Sequence, residues 1–469
     1  MDRVRERVRQ TWGVELRPHQ VDAIQAALSG RDVMVTVATG GGKSLVYQAL
    51  CLVRPPVLVV SPLIALIQDQ VQAAKSAGIR VCNLGETVLS DDAQLAYATP
   101  ERAVRHLSGY EWGAVAIDEA HCVVEWGSDF RPEYGQLSAL RACPFPVVAL
   151  TASATPSMVK CICRSLGMRA PVQVKGSFSR PNLTLQVKPK KFVTRSDTKF
   201  ADVQSLVHPP CIVYVTKRAE ADQLADALSM FASAPYHAGM SDSEREEVLQ
   251  GFMEDRIRVI CATIAFGMGI NKPDIRSVIH YGPSRSLECY YQEVGRAGRD
   301  GNDSTCTLLV SKGDWPRLKY AGADAKALGM VEDYASERRC LHQYLVDHFG
   351  EESSECGKCS ACVSGKSQVE EEMEDLLTVE EAQAAVQMVT RHPVFGVSSI
   401  ASALRGDSST HANLKANDHF GAWRGKSNAT IHKGIKMLVR KQLIQERTRV
   451  LSNGKGKYTS LCPCSRKDT

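Results

Sequence analysis

The run VMVTV from Val33 passes directly into ATGGGKS (Ala38–Ser44), and an apolar helical pattern begins near Leu45. This order of strand, glycine loop and helix constrains the chain more than any other feature. Consecutive glycines let backbone N–H groups close around phosphate oxygens at a helix N-terminus, where the helix dipole also favours negative charge. In such a loop Thr39, Gly40, Gly41 and Gly42 form the cradle, Lys43 pairs the β- and γ-phosphates and Ser44 is a magnesium ligand. The strict form of the loop has Gly where this chain has Val37. The loop also needs a parallel sheet behind it, because such sheets hold their ligands at the carboxyl ends of the strands.

The rest of the chain to about residue 310 meets that requirement. VLVV from Val57, AVAI from Ala114, VVAL from Val147, IVYV from Ile212 and RVICA from Arg258 alternate with helical patterns, as buried parallel strands with crossover helices do. Ser177–Lys199, rich in Pro, Ser and Lys, interrupts the pattern and marks a boundary between two sheets. The expected class is α/β, with domains at 1–180, 181–312, 313–368 and 381–462, an acidic linker at 369–380 and a tail at 463–469. The segment Trp315–Phe349 reads as helical. Around Val397–Leu404 and Ser427–Lys441 the helical pattern returns, followed by a hairpin turn at Asn453-Gly454.

Composition narrows the function classes. From Arg391 onward there are fifteen Lys/Arg against four Asp/Glu, which puts that module at +11 and the rest of the chain at −6 of a total of +5. A basic module suits a polyanionic partner, with a solvated surface as the alternative. No stretch reaches the ~18 uncharged apolar residues of a membrane span. The amino terminus, MDRVRERVRQ, has neither the apolar core of a secretory signal nor the acid-poor character of a transit peptide. Most of the sixteen cysteines stand singly in apolar runs, such as Cys51, Cys211 and Cys261, a pattern of buried thiols in a reducing compartment.

Cys340, Cys356, Cys359 and Cys362 are the exception, with spacers of fifteen, two and two residues. Four thiolates satisfy tetrahedral Zn²⁺, and two-residue spacers let a tight knuckle present successive sulfurs inward. The same spacing suits an iron–sulfur cluster. Cys462 and Cys464 have no complementary pair and are expected as free thiols in a frayed tail.

Strand AVAI ends in Asp118-Glu119-Ala120-His121. A carboxylate beside a phosphate loop can hold magnesium, the role expected of Asp118, and Glu119 is placed to polarise an attacking water. At this point the chain resembles the RecQ-like DNA helicases of superfamily 2. The residues that carry the resemblance are LRPHQ (Leu16–Gln20), VVSPLIALIQDQ (Val59–Gln70), YATPER (Tyr97–Arg102), ALTASAT (Ala149–Thr155), YHAG (Tyr236–Gly239), ATIAFGMGINKPDIR (Ala262–Arg276) and YYQEVGRAGRDG (Tyr290–Gly301). Leu16 stands where Phe is usual, and Ser153 where Thr is usual. The resemblance implies two RecA-like lobes, a helical zinc-binding subdomain and a winged-helix domain. It implies adenine reading by Arg17 and Gln20, a catalytic set that includes His121, and Arg296 and Arg299 reaching the γ-phosphate from the second lobe. A guanidinium delivered across a cleft stabilises the charge that phosphoryl transfer spreads over the equatorial oxygens.

CVVEWGSDFRP (Cys122–Pro132) is similar to the family's aromatic loop that senses single-stranded DNA, with Trp126 and Phe130 as stacking faces and Arg131 as a phosphate or base contact. Val124-Glu125 and Ser128 replace the usual Ser-Gln and His. The family places zinc at the four cysteines. His419–Glu446 is similar to its winged helix, whose basic helix suits phosphate contacts; the hairpin tip, Asn453-Gly454-Lys455, carries no aromatic. The small terminal helical domain of some relatives is not expected.

The resemblance therefore implies ATP, Mg²⁺ and Zn²⁺ as cofactors and single-stranded tails and forked or branched duplex DNA as partners. The activity implied is ATP-driven unwinding with 3′-to-5′ polarity, in repair, recombination or replication, in a nucleus or nucleoid. An RNA helicase or double-strand translocase, and an annealing protein with a weak motor, are the alternatives.

Overall fold

The structure is a computed structural model that describes residues 1–106, 110–125, 137, 144–190, 200–267, 270, 272–337, 339–364, 378–440, 443–450 and 457–463. Two compact units divide at residue 363.

The first unit opens with seven strands, β1 (Val33–Thr36), β2 (Val57–Val60), β3 (Val81–Asn83), β4 (Leu95–Ala98), β5 (Ala114–Ile117), β6 (Val147–Thr151) and β7 (Val172–Lys175). They form one sheet in the order β3-β4-β2-β5-β6-β1-β7, parallel throughout. Side chains alternate between faces along a strand, and both faces are buried here. Val33, Val35, Val57 and Val59 join a core with Tyr47 and Leu50. Met34, Leu58 and Val60 join another with Trp112 and Ile162. Burial on both sides explains why these strands read as continuous apolar runs. Because β5, β6 and β1 are neighbours, their carboxyl ends lie side by side. That places the loop after Thr36, the acids after Ile117 and the residues after Thr151 at one edge.

Six further strands follow: β8 (Leu183–Pro189), β9 (Cys211–Val215), β10 (Ser233–Tyr236), β11 (Val259–Ala262), β12 (Ser277–Tyr281) and β13 (Ser304–Val310). They make a second parallel sheet in the order β10-β11-β9-β12-β13-β8. β8 falls inside Ser177–Lys199, which the sequence suggested only as an interruption. It is an edge strand with buried and half-buried residues alternating at its start, and it tolerates Pro189 at its last position.

The helices Asp314–Tyr320, Ala325–Ala335 and Leu341–His348 come next. Leu328, Val331, Tyr334, Leu345, Phe349 and Cys359 share one core with Leu183, Ile212 and Tyr290 of the second lobe. The cysteine segment is thus packed onto that lobe.

The second unit holds the helices Val379–Arg391, Val397–Arg405, Ala412–Lys415 and Asn428–Arg440, then the antiparallel pair β14 (Ile444–Val450) and β15 (Lys457–Pro463). A capping box at Thr378 and Glu381 starts its first helix. Trp423, fully buried, donates from Nε1 to the Glu381 carbonyl at 2.9 Å and centres a core with Met388, Leu404, Ile431 and Leu461. Cys462 corrects the expectation of a frayed tail: it is buried in β15, opposite Gln445. Its apolar neighbour Leu461 anchors the strand in the core. Cys464 and the hairpin tip lie outside the described residues. Among the described residues no helix is long and apolar enough to cross a membrane.

Candidate nucleotide site between the two lobes

The phosphate loop joins β1 to the helix Ser44–Val53. Three consecutive carbonyls of the loop are held by the turn that starts the helix Pro18–Leu28. Arg17 Nη1 lies 3.5 Å from Gly40 O, His19 Nε2 3.0 Å from Gly41 O, and Gln20 Nε2 donates to Gly42 O at 2.8 Å. Gln20 Oε1 accepts from Arg17 N at 2.8 Å, which fixes the amide orientation. Gly42 has φ +79°, and a Cβ there would stand 2.5 Å from Gln20 Nε2, so glycine is required twice over. Val37 fits because Gly41 and Gly176 lack side chains: a Cβ on either would come within 2.6 Å of Val37 Cγ2. Sequence reasoning singled out Arg17 and Gln20 but missed His19 between them.

Asp118 follows β5 and is buried. It accepts from Glu119 N at 3.0 Å and from the Tyr47 hydroxyl at 3.5 Å. Burial first, and then the adjacent Glu119 carboxylate, push the Asp118 carboxyl up to about 6, while Lys43 pulls it down. Glu119 has φ +46°, a left-handed conformation costing about 1–3 kcal/mol in a residue with a side chain. Such strain persists where surroundings over-determine it. Glu119 Oε2 lies 3.4 Å from His121 Nδ1, yet it is buried without a hydrogen bond among the described residues.

His121 Nδ1 is 3.0 Å from Thr151 Oγ1. From the other lobe, Gln292 Nε2 lies 3.2 Å from His121 Nε2 and 2.5 Å from Ser153 Oγ. An amide nitrogen only donates, so His121 Nε2 accepts, and the ring proton sits on Nδ1 facing Thr151. Gln292 is carried on the helix Leu287–Val294. It lies inside a motif noted in the sequence, but nothing in that motif says which side chain crosses the cleft.

The arginine turn follows that helix. Arg296 is buried, with Nε lacking a hydrogen-bond partner among the described residues. Arg299 Nη1 donates to Ile270 O at 2.8 Å. Burial first, then Arg296 and Arg180, pull the Arg299 guanidinium down to about 10, and Glu119 opposes them. The turn packs on the phosphate loop: a Cβ on Gly295 would sit 3.2 Å from Thr39 Cβ, and one on Gly40 would sit 3.8 Å from Arg299 Cγ. Arg180, unmarked in the sequence, binds the Thr39, Gly295, Ala297 and Gly298 carbonyls.

The cleft therefore sets Arg296 and Arg299 against a loop of phosphate-binding type, with Glu119 as the nearby acid. Arg296 and Arg180 disfavour the charged form of Arg299, and an anion between them would relieve that repulsion, so the donor set fits a polyanion. Lys43, Ser44 and Asp118 are the groups suited to a nucleotide with its Mg²⁺. Trp126, Phe130, Arg131 and Ser128 lie outside the described residues.

The four cysteines converge. Their Sγ atoms all lie within 4.8 Å of one another, with Cys359 at 3.4 Å from Cys362 and 4.0 Å from Cys340. Backbone N–H groups of Cys356, Leu341 and Cys359 approach the sulfurs of Cys340, Cys359 and Cys356 at 3.2–3.3 Å. Four sulfurs at this separation, with N–H groups turned toward thiolates, fit a tetrahedral zinc ion.

Comparison with known proteins agrees with this geometry. Residues 17–161 match the DEAD/DEAH box helicase family, 198–301 the helicase conserved C-terminal domain and 317–363 the RecQ zinc-binding family. Among solved structures, the DNA-bound DUF1998 helicase MrfA aligns with TM-score 0.55 and 16% identity over 99% of this chain and 63% of that one, a likeness of fold alone. The ATP-dependent DNA helicase RecQ of Bacillus subtilis is 35% identical over 84% of this chain and 71% of its own length. The ATP-dependent DNA helicase RecQ of Pasteurella multocida is 33% identical over 92% of this chain and 72% of its own length. With both lobes, the cysteine site and these relatives in agreement, the chain belongs to the RecQ family of ATP-dependent DNA helicases.

Proposed function

We propose that this chain hydrolyses ATP in the cleft between its lobes and uses the resulting cycle of closure to unwind forked or tailed DNA with 3′-to-5′ polarity. The observation that carries this reading is the crossing of the cleft. Arg296 and Arg299 belong to one lobe, the phosphate loop and Glu119 to the other, and the two sides are in contact. A site divided in this way is complete only when the lobes close, which couples the chemistry to movement.

In this reading Lys43 neutralises the β- and γ-phosphates, and Arg17 and Gln20 read the adenine. Ser44 and Asp118 would hold Mg²⁺, which would supply charge neutralisation for the phosphates. Glu119 orients the attacking water, His121 holds Glu119 and the second lobe in register, and Arg296 and Arg299 stabilise charge on the transferred group. Trp126, Phe130 and Arg131 contact the single strand. Cys340, Cys356, Cys359 and Cys362 hold zinc in a structural role, because they share a core with the second lobe. The basic unit from Ser364 acts as a winged helix that binds DNA backbone. The domain boundaries proposed from the sequence, and residence in a nucleus or nucleoid, belong to the same reading.

Unwinding of matched duplexes with a 3′ tail, a 5′ tail or an RNA strand tests it. The expected result is ATP-dependent unwinding of the 3′-tailed DNA. Preference for the 5′ tail overturns the polarity, and preference for RNA overturns the substrate.

A further inference from the structure

Arg180 lies three residues before β8, at the junction of the lobes. Its Nη1 donates to Thr39 O and Gly295 O, each at 3.1 Å, and its Nη2 to Ala297 O at 2.8 Å and Gly298 O at 3.0 Å. These bonds use all four hydrogens of the two terminal nitrogens. No terminal N–H is left for a phosphate, so this guanidinium does not share the task of Arg296 and Arg299. Three of its acceptors lie in the turn that carries those arginines. The fourth, Thr39 O, lies in the phosphate loop across the cleft. Arg180 is half-buried, where carbonyl dipoles replace lost water, and a planar fork spans acceptors that a point-charge ammonium does not.

The segment before Arg180 is fixed as firmly. Glu351 accepts from Phe178 N at 2.6 Å and from Ser177 Oγ at 2.8 Å. The Phe178 ring stacks on Phe349 with centroids 4.8 Å apart and planes 8° apart. The Phe178 carbonyl accepts from the Tyr291 hydroxyl at 2.7 Å. Arg180 is therefore held from behind by the helix that carries Gln292 and by residues next to the cysteine site.

We propose that Arg180 is a positioning residue for hydrolysis, a strut that sets the arginine turn against the phosphate loop when the lobes close. Three of its four acceptors belong to the second lobe, so in this proposal Arg180 travels with that lobe and the bond to Thr39 is the one made on closure. This rests on the reading of the cleft as an ATPase site.

The test is DNA-stimulated ATPase of Arg180→Ala and Arg180→Lys, with Lys43→Ala and Arg299→Ala as references and thermal melting as the check on folding. The strut predicts a fall in kcat of about tenfold to a hundredfold, the scale of a misplaced catalytic group, with KM for ATP changed less than about threefold. Lysine does not rescue, and Arg180→Ala adds nothing to Arg299→Ala in the double variant. If Arg180→Ala fails to fold, Arg180→Lys carries the test. A folded Arg180→Lys with wild-type kcat, a change confined to KM, or additive losses in the double variant overturns the strut alone. A wild-type chain without ATPase removes the reading of the cleft and the strut with it.

Discussion

Gln292 on the second lobe donates to Ser153 Oγ on the first at 2.5 Å, and the same amide nitrogen reaches His121 Nε2 at 3.2 Å. One side chain thus ties the helix before the arginine turn to the acidic tetrad and to the ALTASAT segment. Ser153 supplies the hydroxyl that accepts this bond.

Replacing Gln292 with Ala removes both hydrogen bonds while leaving the phosphate loop untouched. Nucleotide affinity is expected to stay within about threefold of wild type, and DNA-stimulated kcat to fall about tenfold or more. Nucleotide binding and steady-state ATPase on the same preparation check this.

The cysteine site predicts a stability effect. Cys359 is fully buried and shares its core with Tyr290 and Tyr334. Cys359→Ser, or chelation of the metal, is expected to lower the melting temperature by on the order of 10 °C, because metal binding energy is folding energy. Metal analysis of the purified protein is expected to find zinc near one per chain; iron with visible absorbance contradicts the assignment.

The pH dependence follows from Asp118. Its carboxyl, held up to about 6 chiefly by burial, is ionised at neutral pH and protonates as pH falls through that value. The raised value weakens magnesium binding on the acid side, and magnesium in turn favours the ionised form. The acid limb of the ATPase profile is therefore expected near pH 6 at low Mg²⁺ and at lower pH when Mg²⁺ is raised. An acid limb that does not move with Mg²⁺ contradicts Asp118 as a ligand.

Trp126 is expected to act on coupling rather than on binding. Trp126→Ala should keep nucleotide affinity and lose most of the stimulation by single-stranded DNA, read by ATPase with and without the strand. Full stimulation in that variant removes the loop from the mechanism.

Much of the cleft was legible because its parts are contiguous motifs. The loop at Ala38–Ser44, the acids at Asp118–Glu119, the turn at Arg296–Arg299 and the cysteines each announce their chemistry by local spacing. Arg180, His19 and Gln292 do not: their importance lies in carbonyls and side chains more than a dozen residues away, a tertiary fact with no periodic trace. β8 was hidden because an edge strand exposes polar residues and tolerates proline. Cys462 was misread because two cysteines around a proline near a polar terminus look unpartnered until the β14–β15 pairing buries one of them.

The proposed mechanism requires the two lobes to share one ATP. Arg299→Ala tests it most directly, with nucleotide binding and DNA-stimulated hydrolysis measured on the same folded protein. ATP affinity is expected to stay within about tenfold while kcat falls about a thousandfold, as for loss of an arginine that stabilises transferring phosphate. Hydrolysis at the wild-type rate would contradict a site divided between the lobes.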